Sequence, residues 1–114
     1  QGSWLKAGAH VDLVGAYTAN MREADDATLQ RGDFYVDSRD STIGHIGEVK
    51  IPLASGAIQP ESVLGDLYDL VAQPPGVSER SRGPEQITIL KNGGGAHLDL
   101  MVAHYFLSLD AENV

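Results

Sequence analysis

The sequence predicts an α/β protein built on a small parallel sheet, and one that reads as part of a larger whole. Three observations predict this. Short apolar, strand-like runs alternate with helical ones along the chain, which is the pattern of parallel strands joined by right-handed crossovers. A glycine triplet, Gly93-Gly94-Gly95, sits between the last such run and a final helical segment. That final segment carries almost no polar face, so it asks for more covering surface than 114 residues supply.

Taken in order, residues 10–16 (HVDLVGA) form a short, mostly apolar run ending near Gly15 and read as a buried strand. Asp12 lies among apolar neighbours there and belongs near a sheet edge or on a hydrogen-bonding partner. Asn20 is placed to cap a helix with Glu23 reaching back to it; Asp25 and Asp26 suit the positive end of such a helix. The helix is expected to reach Arg31 and stop at Gly32. Residues 34–37 (FYVD) are the second strand. A polar turn follows, with Ser41 or Thr42 as the cap of the next helix. Gly44, Gly47 and Pro52 restrict residues 43–53 to one short helix and an irregular link. Residues 65–72 (GDLYDLVA) form a short amphipathic helix, and residues 73–86, rich in Pro, Gly and Ser, form a loop. Residues 87–90 (ITIL) are the third strand. The last helix spans residues 96–109. Residues 1–3 (QGS) read as the remnant of a tag.

Composition narrows the function classes. The net charge of −8, with eight scattered Lys and Arg, argues against nucleic acid as a partner. There are no cysteines, so disulfides and thiolate chemistry are excluded for these residues. No apolar run is long enough to cross a bilayer and no signal pattern opens the chain, so no membrane partner and a cytoplasmic setting are expected. His10, His45, His97 and His104 show no ligand spacing, and no metal is expected.

In an open parallel sheet, ligands bind beyond the carboxyl ends of the strands. Residues 15–20, 37–41 and 91–95 occupy that edge. The glycine triplet permits close backbone approach to a ligand, or a tight turn needing positive φ. It is neither a GxGxxG fingerprint nor a Walker loop. Lys91, at a strand end, is expected to be exposed, with a phosphate or carboxylate as the alternative. Asp99 serves the helix start or lines the site.

Four stretches in order resemble the ornithine cyclodeaminase/mu-crystallin family, over roughly its C-terminal third: GAHVDLVGAYTANMREADD, FYVDSRDS, GDLYDLV and ITILKNGGGAHLDL. The resemblance implies that residues 1–114 are the C-terminal part of an incomplete Rossmann-like, NAD(P)-binding domain. It holds about half of the parallel sheet, three strands with crossover helices. The helix over residues 96–114 is expected to pack on a missing domain or a partner chain. The resemblance further implies a homo-oligomer, NAD(P)H as cofactor of the complete protein, and small imino or amino acids as substrates. Tyr17 stands where the cyclodeaminases carry an acidic residue, which favours an imine (ketimine) reductase or amino-acid dehydrogenase over a cyclodeaminase. Tyr17 is then the catalytic candidate, as proton donor or orienting group. Asn92, Gly93 and Gly94 are the cofactor-binding candidates, with Asn92-Gly93 replacing the usual Ser-Val. Thr18, Gly93 and Asp99 are the substrate-binding candidates, and Leu98 replaces the usual Glu. The chain alone is expected to be inactive and to bind no cofactor by itself. The alternative is a non-catalytic fragment or a binding or structural protein of the mu-crystallin kind.

Overall fold

A computed structural model describes residues 1–72 and 83–111, with side chains as far as residue 109. The expected loop over residues 73–86 falls largely outside the described residues. Four strands, all parallel, form one sheet in the order β1-β4-β2-β3. They are β1 (His10–Leu13), β2 (Asp33–Val36), β3 (Val63–Asp66) and β4 (Thr88–Lys91). Three of them are the expected strands, each shifted or shortened at its ends. The fourth corrects the sequence reading, which gave Gly65 and Asp66 to a helix. Instead β3 pairs with β2, Phe34 opposite Val63 and Val36 opposite Asp66, and sends Val63 into the core. The helix that follows, α4 (Leu67–Ala72), is correspondingly shorter. Its start is fixed by a reciprocal exchange: Asp69 N donates to Asp66 Oδ1 at 2.9 Å, and Asp66 N donates to Asp69 Oδ2 at 3.1 Å.

Helix α1 (Asp26–Arg31) ends at Gly32 as expected but begins later than expected. Asp25 caps it, accepting from the backbone and the hydroxyl of Thr28 at 2.9 and 2.7 Å. Asn20 instead accepts from its neighbour Thr18, and Glu23 turns away from the helix altogether. The first residues are part of the fold rather than an appendage. Gly2 N donates to Asp25 Oδ1 at 2.8 Å, and Arg31 donates to Gly2 O. Gly2 packs so closely on α1 that a Cβ there would lie 2.4 Å from the Ala27 carbonyl carbon.

Between β2 and β3 the sequence reading is corrected again. A single turn, α2 (Arg39–Thr42), is followed by α3 (Gly47–Ser55), a regular helix running through both Gly47 and Pro52. Neither Ser41 nor Thr42 caps α3: Thr42 Oγ1 donates to Asp37 and Ser41 Oγ to Ser38 O. Gly47 is tolerated because it opens the helix, where its N–H has no helical acceptor and bonds instead to Thr18 O at 2.8 Å. Gly56, at φ +76°, closes α3 in the left-handed conformation.

Helices α1 and α3 cover one face of the sheet. Leu29 and Val49 pack there on Phe34, Val36 and Ile89; Leu29 is 2% exposed and the other four are completely buried. The opposite face is barer. Tyr35, Thr88 and Leu90 are only half-buried, and α4 is the helix that reaches it. Asp12 lies exposed on β1, an edge strand, in line with its expected place. The last helix, α5 (Ala96–Ala111), is bare within this chain: Met101, Phe106 and Leu107 are each about two-thirds exposed. No helix among the described residues is long and apolar enough to cross a membrane.

Candidate functional site

The carboxyl ends of β1, β4 and β2 carry three adjoining segments, residues 14–24, 92–95 and 37–42. Parallel strands ending together leave free backbone groups there, and the side chains around them determine how those groups are used.

Lys91 closes β4. The expectation of exposure is corrected: the residue is fully buried on the helix-covered face. A buried ammonium is costly without acceptors. Its Nζ finds two, donating to Leu13 O and to Glu23 Oε2, each at 3.1 Å. Glu23 is therefore no helix-end charge. Its Oε1 accepts from Gly15 N at 2.7 Å and its Oε2 from Ala16 N at 3.0 Å. Partial burial works against its charge, but these two amides and Lys91 outweigh that and hold the carboxyl below the usual carboxylate range.

A second carboxylate supports the same loop from below. Glu48, fully buried in the first turn of α3, accepts from Glu23 N at 2.6 Å and from Ala24 N at 3.2 Å. Arg22 Nε lies 3.9 Å from it, while Arg22 Nη1 pairs with Asp26 at 2.6 Å. A third carboxylate, Asp37 at the end of β2, is also buried. It accepts from Ser38 N at 2.8 Å, Thr42 Oγ1 at 2.6 Å and Gly93 N at 2.9 Å. Asp37 thus holds the start of the glycine turn. Gly93 has little room for a side chain, since a Cβ would lie 3.0 Å from both Ile46 and Thr42. Gly94 needs its lack of one for a different reason, standing at φ +74°. Both readings of the triplet meet here, a positive-φ turn and an open backbone face, because nothing lies within 4 Å of where a Gly94 side chain would begin.

The candidate residues from the sequence take these places. Tyr17 is 68% exposed, at the crest of the loop after β1. Thr18 is half-buried beside it, its carbonyl accepting from Met21 N and Gly47 N. Asn92 N donates to Leu13 O at 2.9 Å, which ties the glycine turn to the end of β1. Asn92 Oδ1 accepts from Gly94 N at 2.8 Å, shaping the turn from within. Asp99 lies exposed in the first turn of α5, about one turn beyond the glycines. The structure thus brings the loop bearing Tyr17 and Thr18 beside the turn bearing Asn92 and Gly93, with Asp99 set further out. His97 sits against the same turn. Its ring folds back over Gly95, and its Nε2 is buried without a hydrogen-bond partner. It lines an apolar cleft of about 410 Å³ between α4 and α5, together with Asp37, Leu67, Tyr68 and Met101. Among the described residues no group of three or more His, Asp or Glu is placed to hold a metal ion.

The bracing roles of Glu23, Glu48 and Asp37 are not evident from the sequence, although Asp37 falls in one of the three edge segments named there. Their signal is faint: Glu23 and Glu48 also make sense as ordinary helix-end charges, and Asp37 as a polar strand end.

The model of the ornithine cyclodeaminase/mu-crystallin family matches residues 1–108. The chain is 61% identical over 104 residues to a Delta(1)-pyrroline-2-carboxylate reductase of Paracoccus denitrificans, covering 91% of this chain and 32% of that protein. Among solved structures it resembles the Delta(1)-pyrroline-2-carboxylate reductase of Thermococcus litoralis in complex with NADH and L-proline. The TM-score is 0.72 at 29% identity, over 82% of this chain and 28% of that one. It also resembles an archaeal alanine dehydrogenase dimer with bound NAD, with TM-score 0.76 at 26% identity, over 98% of this chain and 34% of that one. The chain spans about a third of the length of these relatives. Its fold is accordingly Rossmann-like, and the match from residue 1 agrees with the packing of Gly2 on α1. The chain belongs to the ornithine cyclodeaminase/mu-crystallin family.

Proposed function

We propose that the full-length protein containing this chain is an NAD(P)H-dependent reductase of small cyclic imino acids, of the Delta(1)-pyrroline-2-carboxylate class. The observation that carries this reading is the junction of two loops at adjacent strand ends: Asn92 N on Leu13 O joins the glycine turn to the segment bearing Tyr17 and Thr18. Likeness to the Paracoccus reductase supports the substrate class.

The residues here suit the nicotinamide end of the cofactor. Gly94 leaves an open backbone face against which a flat ring can lie, and Asn92 and Gly93 fix that face in place. The phosphate-binding glycine fingerprint is not in this sequence. When bound, the cofactor supplies a hydride to the imine carbon. The ring nitrogen carries the proton that completes the amine. Tyr17, exposed at the crest of its loop, accepts a hydrogen bond from that N–H through its phenol oxygen and orients the ring. Thr18, and Asp99 at greater reach, line the substrate side. Homodimeric assembly and a cytoplasmic setting belong to the same reading, through resemblance to the family.

The test is NAD(P)H oxidation by the full-length protein with Delta(1)-pyrroline-2-carboxylate, beside ammonia release from ornithine. Turnover of the imine and none of ornithine is expected, with Tyr17→Phe lowering kcat by about 10²-fold. Ornithine turnover, or no imine reduction at all, overturns the reading.

A further inference from the structure

Lys91 poses a question that packing alone does not answer. Its stem lies on the helix-covered face of β4, where methionine or leucine would fill the same space without desolvating an ammonium. With no exposed surface, the group cannot serve as an acid, a base or a nucleophile toward a ligand. What it does hold is specific. Lys91 Nζ and Asn92 N donate to the same carbonyl, Leu13 O, at 3.1 and 2.9 Å. The same Nζ meets Glu23, whose carboxylate ties residues 15 and 16 to residue 23 and closes the intervening chain into a loop. Glu48 fixes the exit of that loop at Glu23 N and Ala24 N, and Gly47 N fixes its middle at Thr18 O. The backbone around Tyr17 is pinned on several sides, while the Tyr17 ring itself stays exposed.

We propose that Lys91 and Glu23 are positioning residues: their ion pair holds the loop bearing Tyr17 and Thr18 in register with the Asn92-Gly93-Gly94 turn. The pair sets how the imino acid lies against the cofactor, and contributes little to affinity for the dinucleotide. This rests on the reductase reading above. Lys91 acts through the loop and Glu23 through its amides, and neither touches substrate.

The test uses the full-length protein with Glu23→Gln, Lys91→Met and the double variant. Glu23→Gln keeps shape but loses the charge facing Lys91. It is expected to raise KM for the imine by about 10-fold, since small misplacements near reacting groups have large effects. KM for NAD(P)H is expected to change by no more than about 2-fold, because the outlying dinucleotide contacts are untouched. Amide exchange at Gly15 and Ala16 should be faster by about 10-fold or more as their acceptor weakens. The double variant should be no worse than the poorer single, because both remove one shared interaction. Imine KM unchanged in Glu23→Gln, or both KM values rising together, overturns the proposal. Should Lys91→Met fail to fold, Glu23→Gln carries the test alone. A wild-type protein that turns over no imine defeats the reductase reading. The exchange rates then judge the brace by themselves, and unchanged rates at Gly15 and Ala16 overturn it independently.

Discussion

Asp25 accepts from three donors at once: the hydroxyl and the amide of Thr28 and the amide of Gly2. The Thr28 hydroxyl first, then the Gly2 amide, hold its carboxyl down at about 2, from an ordinary 3.8. A folded-state value below the unfolded one means that the unfolded chain takes up the proton first. The contribution of Asp25 is therefore fully present above pH 3.8 and is lost as pH falls through about 2. Asparagine accepts the same donors without titrating, so the wild type is expected to exceed Asp25→Asn in stability by a constant margin above about pH 4, shrinking steadily toward pH 2. Denaturant unfolding of both proteins across that range checks it; a margin flat down to pH 2 would show that the cap does not titrate. Residues of this kind were half legible in the sequence. Asp25 was recognised as favouring a helix start, but Asn20 looked equally good as the cap. Lys91 and Glu23 are 68 positions apart in the chain, and nothing local announces their pairing. Tyr17, Thr18, Asn92, Gly93 and Gly94 were legible because they stand next to strand ends, where topology alone makes them edge residues.

At the scale of elements, α3 shows how the loop after β1 depends on a glycine outside it. A Cβ at Gly47 would lie 2.5 Å from Met21 O and 2.9 Å from Ala19 O, both backbone atoms that cannot swing aside. Gly47→Ala is expected to push residues 18–21 off the start of α3 and to break the bond from Gly47 N to Thr18 O, at a cost of about 1–3 kcal/mol. Since Thr18 moves with that loop, imine KM should rise as well. Unfolding midpoints together with kinetics of the full-length protein measure both, and a variant equal to wild type in each would contradict the packing. The same helix explains one failure of the sequence reading. Gly47 and Pro52 disfavour an isolated helix, but the first sits where no helical bond is needed and the second is buried against the core. Strand β3 escaped for the opposite reason. Gly65 and Asp66 have poor strand propensity, and the strand exists because β2 offers an open edge and Val63 a place in the core. Alternation of strands and helices was legible from local periodicity, whereas such tertiary rescues were not.

On the scale of the whole molecule, the described residues form one covered sheet face, a second that is thinly covered, and a bare apolar helix. Tyr35 and Leu90 lie half-buried on the thinly covered face, and α5 exposes Leu100, Met101, Tyr105, Phe106 and Leu107. Parallel sheets are normally covered on both faces, and a helix apolar on nearly all sides is normally interior. The sequence showed the second point plainly, since an unbroken apolar segment needs no partner to be recognised. It could not show the first, because the covered and uncovered faces of parallel strands look equally apolar. Physically, an apolar surface of this extent drives association. The purified 114-residue chain is therefore expected to self-associate at micromolar concentration and to oxidise no NAD(P)H with any imino acid. Phe106→Asp with Met101→Asp should shift it toward monomer by placing charge in the contact. Light scattering of the chain and its double variant, with a turnover assay beside it, decides both points. A monomeric wild-type chain would mean that α5 folds back onto this sheet in solution, and turnover would mean that the residues at the carboxyl edge bind a whole cofactor unaided.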